Sequence, residues 1–170
     1  PESLNALTID DLRALRQVLS DCQNDDQVRV MIITGAGDKA FCTGANLKAT
    51  FPPQDGFAKS MLLGRNCEAE QGGYTRLIDL SDLDIWKPLI AVINGYCLGG
   101  GLELALQCDL RLASRSAPFA LPEVKVASEP AEGRGQHLPR ADASHHVMKL
   151  ALTGVRFYAP EALSFSLSWH

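Results

Sequence analysis

From Thr8 onward, apolar residues recur at Leu12, Leu15, Val18, Leu19 and Cys22, close to the spacing of one helix face. Asp11 stands three residues after Thr8, a capping box with Asp in place of the usual Glu. The pattern predicts an amphipathic helix that starts after Thr8. The polar break Gln23-Asn24-Asp25-Asp26-Gln27 ends it, and Val28-Arg29-Val30-Met31-Ile32-Ile33-Thr34 follows, closed by Gly35-Ala36-Gly37. Such a short β-branched run between turn residues predicts a strand, and its density of apolar positions predicts burial on both faces.

A second run, Pro88-Leu89-Ile90-Ala91-Val92-Ile93, closes at Asn94-Gly95. Gly99-Gly100-Gly101 and the helical segment Leu102-Glu103-Leu104-Ala105-Leu106 come next, giving strand, glycine turn and helix in order. Leu110-Arg111-Leu112-Ala113-Ser114 reads as another strand, and Ala143 to Leu152 as a helix that stops at Gly154. Strands alternating with helices indicate an α/β domain with mainly parallel pairing. Phe51 to Asp84, with Pro52-Pro53, Gly56 and Gly72-Gly73, is the least regular stretch, with one helix expected around Phe57 to Cys67. Long irregular inserts of this kind tend to be lids, binding loops or disordered segments.

The 170 residues, 46% hydrophobic and 21% charged, suit one globular domain by the usual prior of roughly 100 to 200 residues. At this size a core forms without disulfides or a structural metal. A net charge of -4 gives no field that draws the chain to phosphate backbones or anionic lipid, so nucleic acid and membrane are not expected partners. The cysteines, Cys22, Cys42, Cys67, Cys97 and Cys108, are odd in number and form no C-x-x-C pair. Reduced thiols and a cytoplasmic location are the expectation. No apolar run approaches the roughly 18 residues of a membrane span, and Pro1-Glu2-Ser3-Leu4-Asn5 lacks the blocks of a signal peptide.

Chemistry is expected first at Gly99-Gly100-Gly101, because glycine allows close backbone approach and the amides of such a turn suit an oxyanion or a phosphate. The plain alternative is a tight turn with no ligand; neither G-x-G-x-x-G nor the P-loop pattern is matched. Phe41-Cys42-Thr43-Gly44-Ala45-Asn46-Leu47-Lys48 offers a second glycine-relaxed backbone with a lysine close by. If both loops meet at one sheet edge, their amides converge on one carbonyl oxygen; otherwise the segment is an ordinary loop. Glu103 is placed early in its helix, where the dipole favours a carboxylate whatever its job. Glu123 follows the apolar Phe119-Ala120-Leu121-Pro122, where a carboxylate is costly unless hydrogen-bonded or functional. Two carboxylates flanking one site divide acid and base roles around a water. His145-His146 has no metal spacing, Arg134 and His137 fall in an irregular stretch, and no G-x-S-x-G nucleophile elbow exists. Trp86 is expected to pack in the core or at its rim, where the second strand begins.

Together, Ile33-Thr34-Gly35-Ala36-Gly37, Ala40 to Lys48, Lys87 to Tyr96, Gly99 to Ala105 and Phe119 to Lys125 resemble the enoyl-CoA hydratase/isomerase, or crotonase, family. The match runs in order from Leu4-Asn5-Ala6-Leu7 to about Gly154. The resemblance implies a crotonase-like spiral of ββα units, with a core domain at 1–154 and the start of an incomplete C-terminal helical region at 155–170. It implies binding of an acyl-CoA thioester whose carbonyl oxygen is held by the N–H groups of Ala45 and Gly100. Lys48 then lies near the CoA phosphates, and Thr43 and Leu47 along the adenine-side channel. Glu103 is the base that orients and deprotonates water, and Glu123 supplies the proton to the α-carbon, so that water adds to a 2-enoyl-CoA. No metal or separate cofactor is implied, since coenzyme A belongs to the substrate, and assembly as a homotrimer or homohexamer is. Phe119-Ala120-Leu121-Pro122-Glu123 also looks like carnitinyl-CoA dehydratases, which makes that substrate, or another acyl-CoA isomerisation, the alternative reaction. Where hydratases usually carry a Pro-Gly-x-Gly-Gly-type turn, this chain reads Ser128-Glu129-Pro130-Ala131-Glu132-Gly133-Arg134-Gly135. That departure motivates a second hypothesis, a non-catalytic subunit that binds CoA thioesters or serves assembly.

Overall fold

A computed structural model of the chain describes residues 3–47, 74–126 and 144–164. Helix α1 spans Ile9–Asn24 and begins as its sequence dictates: Thr8 Oγ1 accepts the Asp11 N–H at 3.1 Å, and the Asp11 carboxylate accepts the Thr8 N–H at 2.8 Å. Both ends of the capping box are made, and Leu12 and Leu19 are the residues it buries.

Among the described residues seven strands follow: β1 Met31–Thr34, β2 Ala40–Cys42, β3 Leu89–Ile93, β4 Tyr96–Leu98, β5 Leu110–Ala113, β6 Pro118–Ala120 and β7 Phe157–Tyr158. They form two sheets, β1-β3-β5 and β2-β4-β6-β7, with every pairing parallel except β6 with β7. From β1 to β6, consecutive strands therefore alternate between the sheets. Each pair (β1 and β2, β3 and β4, β5 and β6) makes one turn of a spiral, and the next pair stacks on it. Asn94 ties two turns together: its Nδ2 donates to the carbonyls of Gly35 and Gly37 at 2.9 and 2.7 Å, and its Oδ1 accepts the Gly35 N–H at 3.2 Å. The helices are α2 Tyr74–Ile78, α3 Gly100–Leu106, α4 Ser144–Thr153 and α5 Ala159–Ser164, with a 3₁₀ turn at Pro122–Val126.

The core between the sheets is one cluster that includes Phe41, Leu89, Ile93, Leu102, Leu104, Phe119 and Phe157. Phe119 and Phe157 stack with ring centroids 5.4 Å apart, within the range of favourable aromatic pairs. Helix α4 ends as expected, with Gly154 at φ 58° and its N–H on the Leu150 carbonyl at 2.9 Å.

Three expectations change. The first strand is shorter than its apolar run and is not buried on both faces: Ile32 is 61% exposed. The register puts Ile32, Ile90 and Leu110 in one row across the sheet, and Ile32, Leu110 and Leu112 all lie on an exposed face. The apolar run stabilises the sheet through β-branched cross-strand contacts on that face rather than through full burial. Trp86 packs in neither core nor rim; it is 84% exposed, and the residue is held through its N–H, which donates to Gln23 Oε1 at 3.0 Å. Finally, short strands form at Ala40–Cys42, Tyr96–Leu98 and Pro118–Ala120, in segments read as loop or unassigned. The helix expected around Phe57 to Cys67 lies outside the described residues, as do Arg134, His137 and the side chains of His145 and His146. Among the described residues no helix is long and apolar enough to cross a membrane.

Candidate active site

The loop after β2 is shaped by the start of the chain. Leu7 bridges Ala45 in parallel fashion: the Leu7 N–H donates to the Gly44 carbonyl and the Asn46 N–H to the Leu7 carbonyl, both at 2.8 Å. In extended backbone successive N–H groups point to opposite edges. The bridge thus takes the groups flanking Ala45 on one edge and turns the Ala45 N–H to the other. Thr43 Oγ1 donates to the Leu4 carbonyl at 3.2 Å, and Asn5 Nδ2 donates to the carbonyls of Ala36 and Ala40 at 3.0 and 2.7 Å. Leu4 and Asn5 both have positive φ, 54° and 56°, a cost these bonds offset.

The second loop meets the first. A Cβ on Gly44 would lie 3.0 Å from the Gly100 nitrogen and 3.3 Å from the Leu98 carbonyl oxygen, so the approach requires glycine. Gly99 sits at φ 54°, ψ -126°. Its N–H donates to Ala120 at 3.0 Å, and its carbonyl accepts from Leu102 and Glu103 at 2.9 and 3.1 Å. Among the described residues no acceptor takes the N–H of Ala45 or of Gly100.

The two carboxylates are carried by different elements, Glu123 by the 3₁₀ turn after β6 and Glu103 by α3. Glu123, half-buried in the 3₁₀ turn after β6, places Oε1 2.6 Å from where a Cβ on Gly99 would be, and its Oε2 is enclosed. Glu103 is 6% exposed, the only charged residue buried among those described. It lies one turn into α3, and helical side chains lean toward the preceding turn, here Gly99 and Gly100. Two loop amides and the Glu123 carboxylate are therefore gathered at one glycine turn, with Glu103 one helical turn beyond it, an arrangement able to hold a carbonyl oxygen and to move protons beside it.

A family model described as enoyl-CoA hydratase/isomerase matches residues 1–170. The chain belongs to the enoyl-CoA hydratase/isomerase family. It is 42% identical over 167 residues to an (E)-benzylidenesuccinyl-CoA hydratase of Thauera aromatica, covering 98% of this chain and 61% of that protein. It is 38% identical over 164 residues to a carnitinyl-CoA dehydratase of Proteus mirabilis, covering 96% and 59%. Its fold matches the crystal structure of an enoyl-CoA hydratase from Bacillus anthracis with a TM-score of 0.79 at 34% identity, covering 98% of this chain and 61% of that one. The chain thus spans about three fifths of the length of the relatives it matches. The crotonase spiral is the fold.

Of the positions carried over from the family, Ala45, Gly100, Glu103 and Glu123 are brought together at the turn. Thr43 lies on the chain-start side, half-buried, and Leu47 is 53% exposed; Lys48 lies outside the described residues. Cys42, beside the loop, has its thiol pushed up to about 11 by burial, so it is neutral and serves packing. Among the described residues no cluster of side chains fit to hold a metal ion is found.

Sequence reasoning missed helix α2. Tyr74 Oη is enclosed and lies 2.5 Å from where a Cβ on Gly100 would be, with Ile78 Cδ1 at 2.9 Å from the same point. Two polar side chains hold this helix. Gln107 Nε2 donates to the Ile78 carbonyl at 2.9 Å and to the Glu103 carbonyl at 3.2 Å, while its Oε1 accepts the Leu80 N–H at 2.7 Å. From α1, Arg16 donates to the carbonyls of Leu77 and Asp79 and to both oxygens of Asp82, the latter at 2.7 Å. Gln107, the polar residue that caps the C-terminal end of α3, was the one signal that pointed here.

Proposed function

We propose that the chain is the catalytic part of an acyl-CoA hydro-lyase, adding water reversibly across the double bond of a 2-enoyl-CoA thioester. The observation that carries this reading is the meeting of Gly44 with Gly100 while Glu123 lies on Gly99. The thioester oxygen sits between the Ala45 and Gly100 amides. Glu103 takes a proton from water as its oxygen bonds the β-carbon, and the electron pair of the double bond moves toward the thioester oxygen. Glu123, carrying a proton, delivers it to the α-carbon, and the charge on oxygen is relieved. Each amide donor is worth about 3 kcal/mol in the transition state, because the charge it meets develops only there. In this reading Lys48 contacts the CoA phosphates, Thr43 and Leu47 border the adenine side, and the active assembly is a trimer or hexamer.

The test is loss of the ultraviolet absorbance of crotonyl-CoA on adding pure protein, with Glu103→Gln and Glu123→Gln as controls. Loss of signal that either substitution abolishes supports hydration; a CoA thioester that binds and does not turn over supports the non-catalytic reading instead. A second substrate is favoured by the 38% identity to a carnitinyl-CoA dehydratase. The same pair of glutamates running in reverse would dehydrate a 3-hydroxyacyl-CoA, and carnitinyl-CoA belongs in the same assay.

A further inference from the structure

The hydroxyl of Tyr74 has no role in the reaction as described, yet it stands on Gly100, whose N–H is one of the two proposed donors. Three features make this a built position. Oη is enclosed at the end of a rigid ring. Gly100 has no side chain to fill the space in front of it; a Cβ there would collide with Tyr74 Oη and Ile78 Cδ1. The short helix that carries Tyr74 is fastened at its far end to the glutamate-bearing helix by Gln107, whose side chain bonds the Ile78 carbonyl and the Leu80 N–H while its third bond, to the Glu103 carbonyl, holds the amide against its own helix. Of the two side chains that hold this helix, Gln107 is the one that ties it to the Gly100–Glu103 segment.

We propose that the Tyr74 hydroxyl is a third hydrogen-bond donor to the thioester oxygen, beside the Ala45 and Gly100 amides, and that Gln107 is the positioning residue that holds it there. The proposal rests on the hydro-lyase reading of the site. A phenol supplies one O–H donor, and a donor aimed at an oxygen that gains charge strengthens as the reaction proceeds. Its effect therefore falls on kcat rather than on KM. Nothing is transferred from Tyr74; it donates a hydrogen bond and keeps its proton.

The experiment uses Tyr74→Phe, which removes one oxygen atom and leaves the ring packing in place. With crotonyl-CoA, kcat should fall tenfold or more with KM changed less than threefold. A second readout needs no turnover: acetoacetyl-CoA enolises when its thioester oxygen is stabilised, and Tyr74→Phe should lower the enolate absorbance of the bound form. Gln107→Glu, which keeps the acceptor for Leu80 and loses both donors, should lower kcat in the wild-type background and have no further effect on Tyr74→Phe. That non-additivity marks positioning, since a merely structural defect would add. A Tyr74→Phe protein with wild-type kcat and wild-type enolate absorbance overturns the proposal. A wild-type protein that hydrates nothing, while Tyr74→Phe still lowers the enolate signal, overturns the hydratase reading and leaves the donor assignment standing. A wild-type protein that neither turns over nor enolises acetoacetyl-CoA overturns both.

Discussion

Glu123 Oε1 lies 2.6 Å from where the Cβ of a side chain on Gly99 would be, too close for the two to coexist. The glycine turn and the carboxylate are thus one steric unit, although 24 positions of sequence separate them. Gly99 also holds φ 54°, where a side chain is strained even with room to spare.

Gly99→Ala should therefore lose both stability and turnover. Backbone strain alone is expected to cost about 1 to 3 kcal/mol, read as a lower midpoint in urea. Displacing the carboxylate should lower kcat/KM for a 2-enoyl-CoA by roughly a hundredfold, the usual penalty for a misplacement near 1 Å. An alanine variant with wild-type turnover would show that Glu123 does not work from this position.

Arg16 and Asp82 give a pH prediction. Hydrogen bonds from the Arg16 guanidinium hold the Asp82 carboxyl below its ordinary range, with a further Coulombic pull from Arg16 and Arg76. A carboxylate depressed in the folded state stabilises fully above its unfolded pKa of about 3.9, and the contribution is lost as pH falls through the lower folded value. Asp82→Asn should be less stable than wild type at pH 7, by no more than about 1 kcal/mol because the group is partly exposed. Urea titrations at pH 7 and in the acid range should show the difference closing at the acid end.

At the start of α1, Thr8→Ala should cost about 1 kcal/mol, the usual value for a lost N-cap. The Asp11 carboxyl, held low chiefly by the Thr8 side chain, should return toward its ordinary value, and an NMR titration of Asp11 in the two proteins measures that directly.

That capping box was legible in the sequence because its partners are three residues apart. The glycine turn and its helix were legible for the same reason. The meeting of Gly44 with Gly100 was legible only through the family resemblance, since periodicity carries no information about how segments from successive turns of the spiral stack. Ile32 misled because a β-branched run reads alike whether one face is covered or two, and only the register with Ile90 and Leu110 separates the cases. Tyr74 gave no local signal at all: its significance comes from Gln107, a residue 33 positions later, which sets the helix against α3. The family motifs supplied Ala45, Glu103 and Glu123, and they had no counterpart for the tyrosine or its latch.

The buried thiols should be silent toward alkylating reagents in the native protein. Burial pushes Cys42 to about 11 and Cys108 to about 12, and Cys97, wholly buried, well above the ordinary thiol range. At pH 8 all three are protonated, and the thiolate is the reactive form. Peptide mapping after brief iodoacetamide treatment should find Cys42, Cys97 and Cys108 unmodified unless denaturant is present.

The bridge between Leu7 and Ala45 makes the proposed Ala45 donor depend on two backbone hydrogen bonds from a segment that belongs to neither sheet. Contacts such as Thr43 with Leu4 join positions 39 apart, and segments of this kind open at a smaller free energy than the sheets they rest on. A molecule in which only the segment around Leu7 has come away keeps its core, its sheets and its spectroscopic signature of folding, but the backbone around Ala45 is no longer held to one edge. Activity is then expected to melt ahead of the fold, and hydrogen exchange at Leu7 and Asn46 would time the loss.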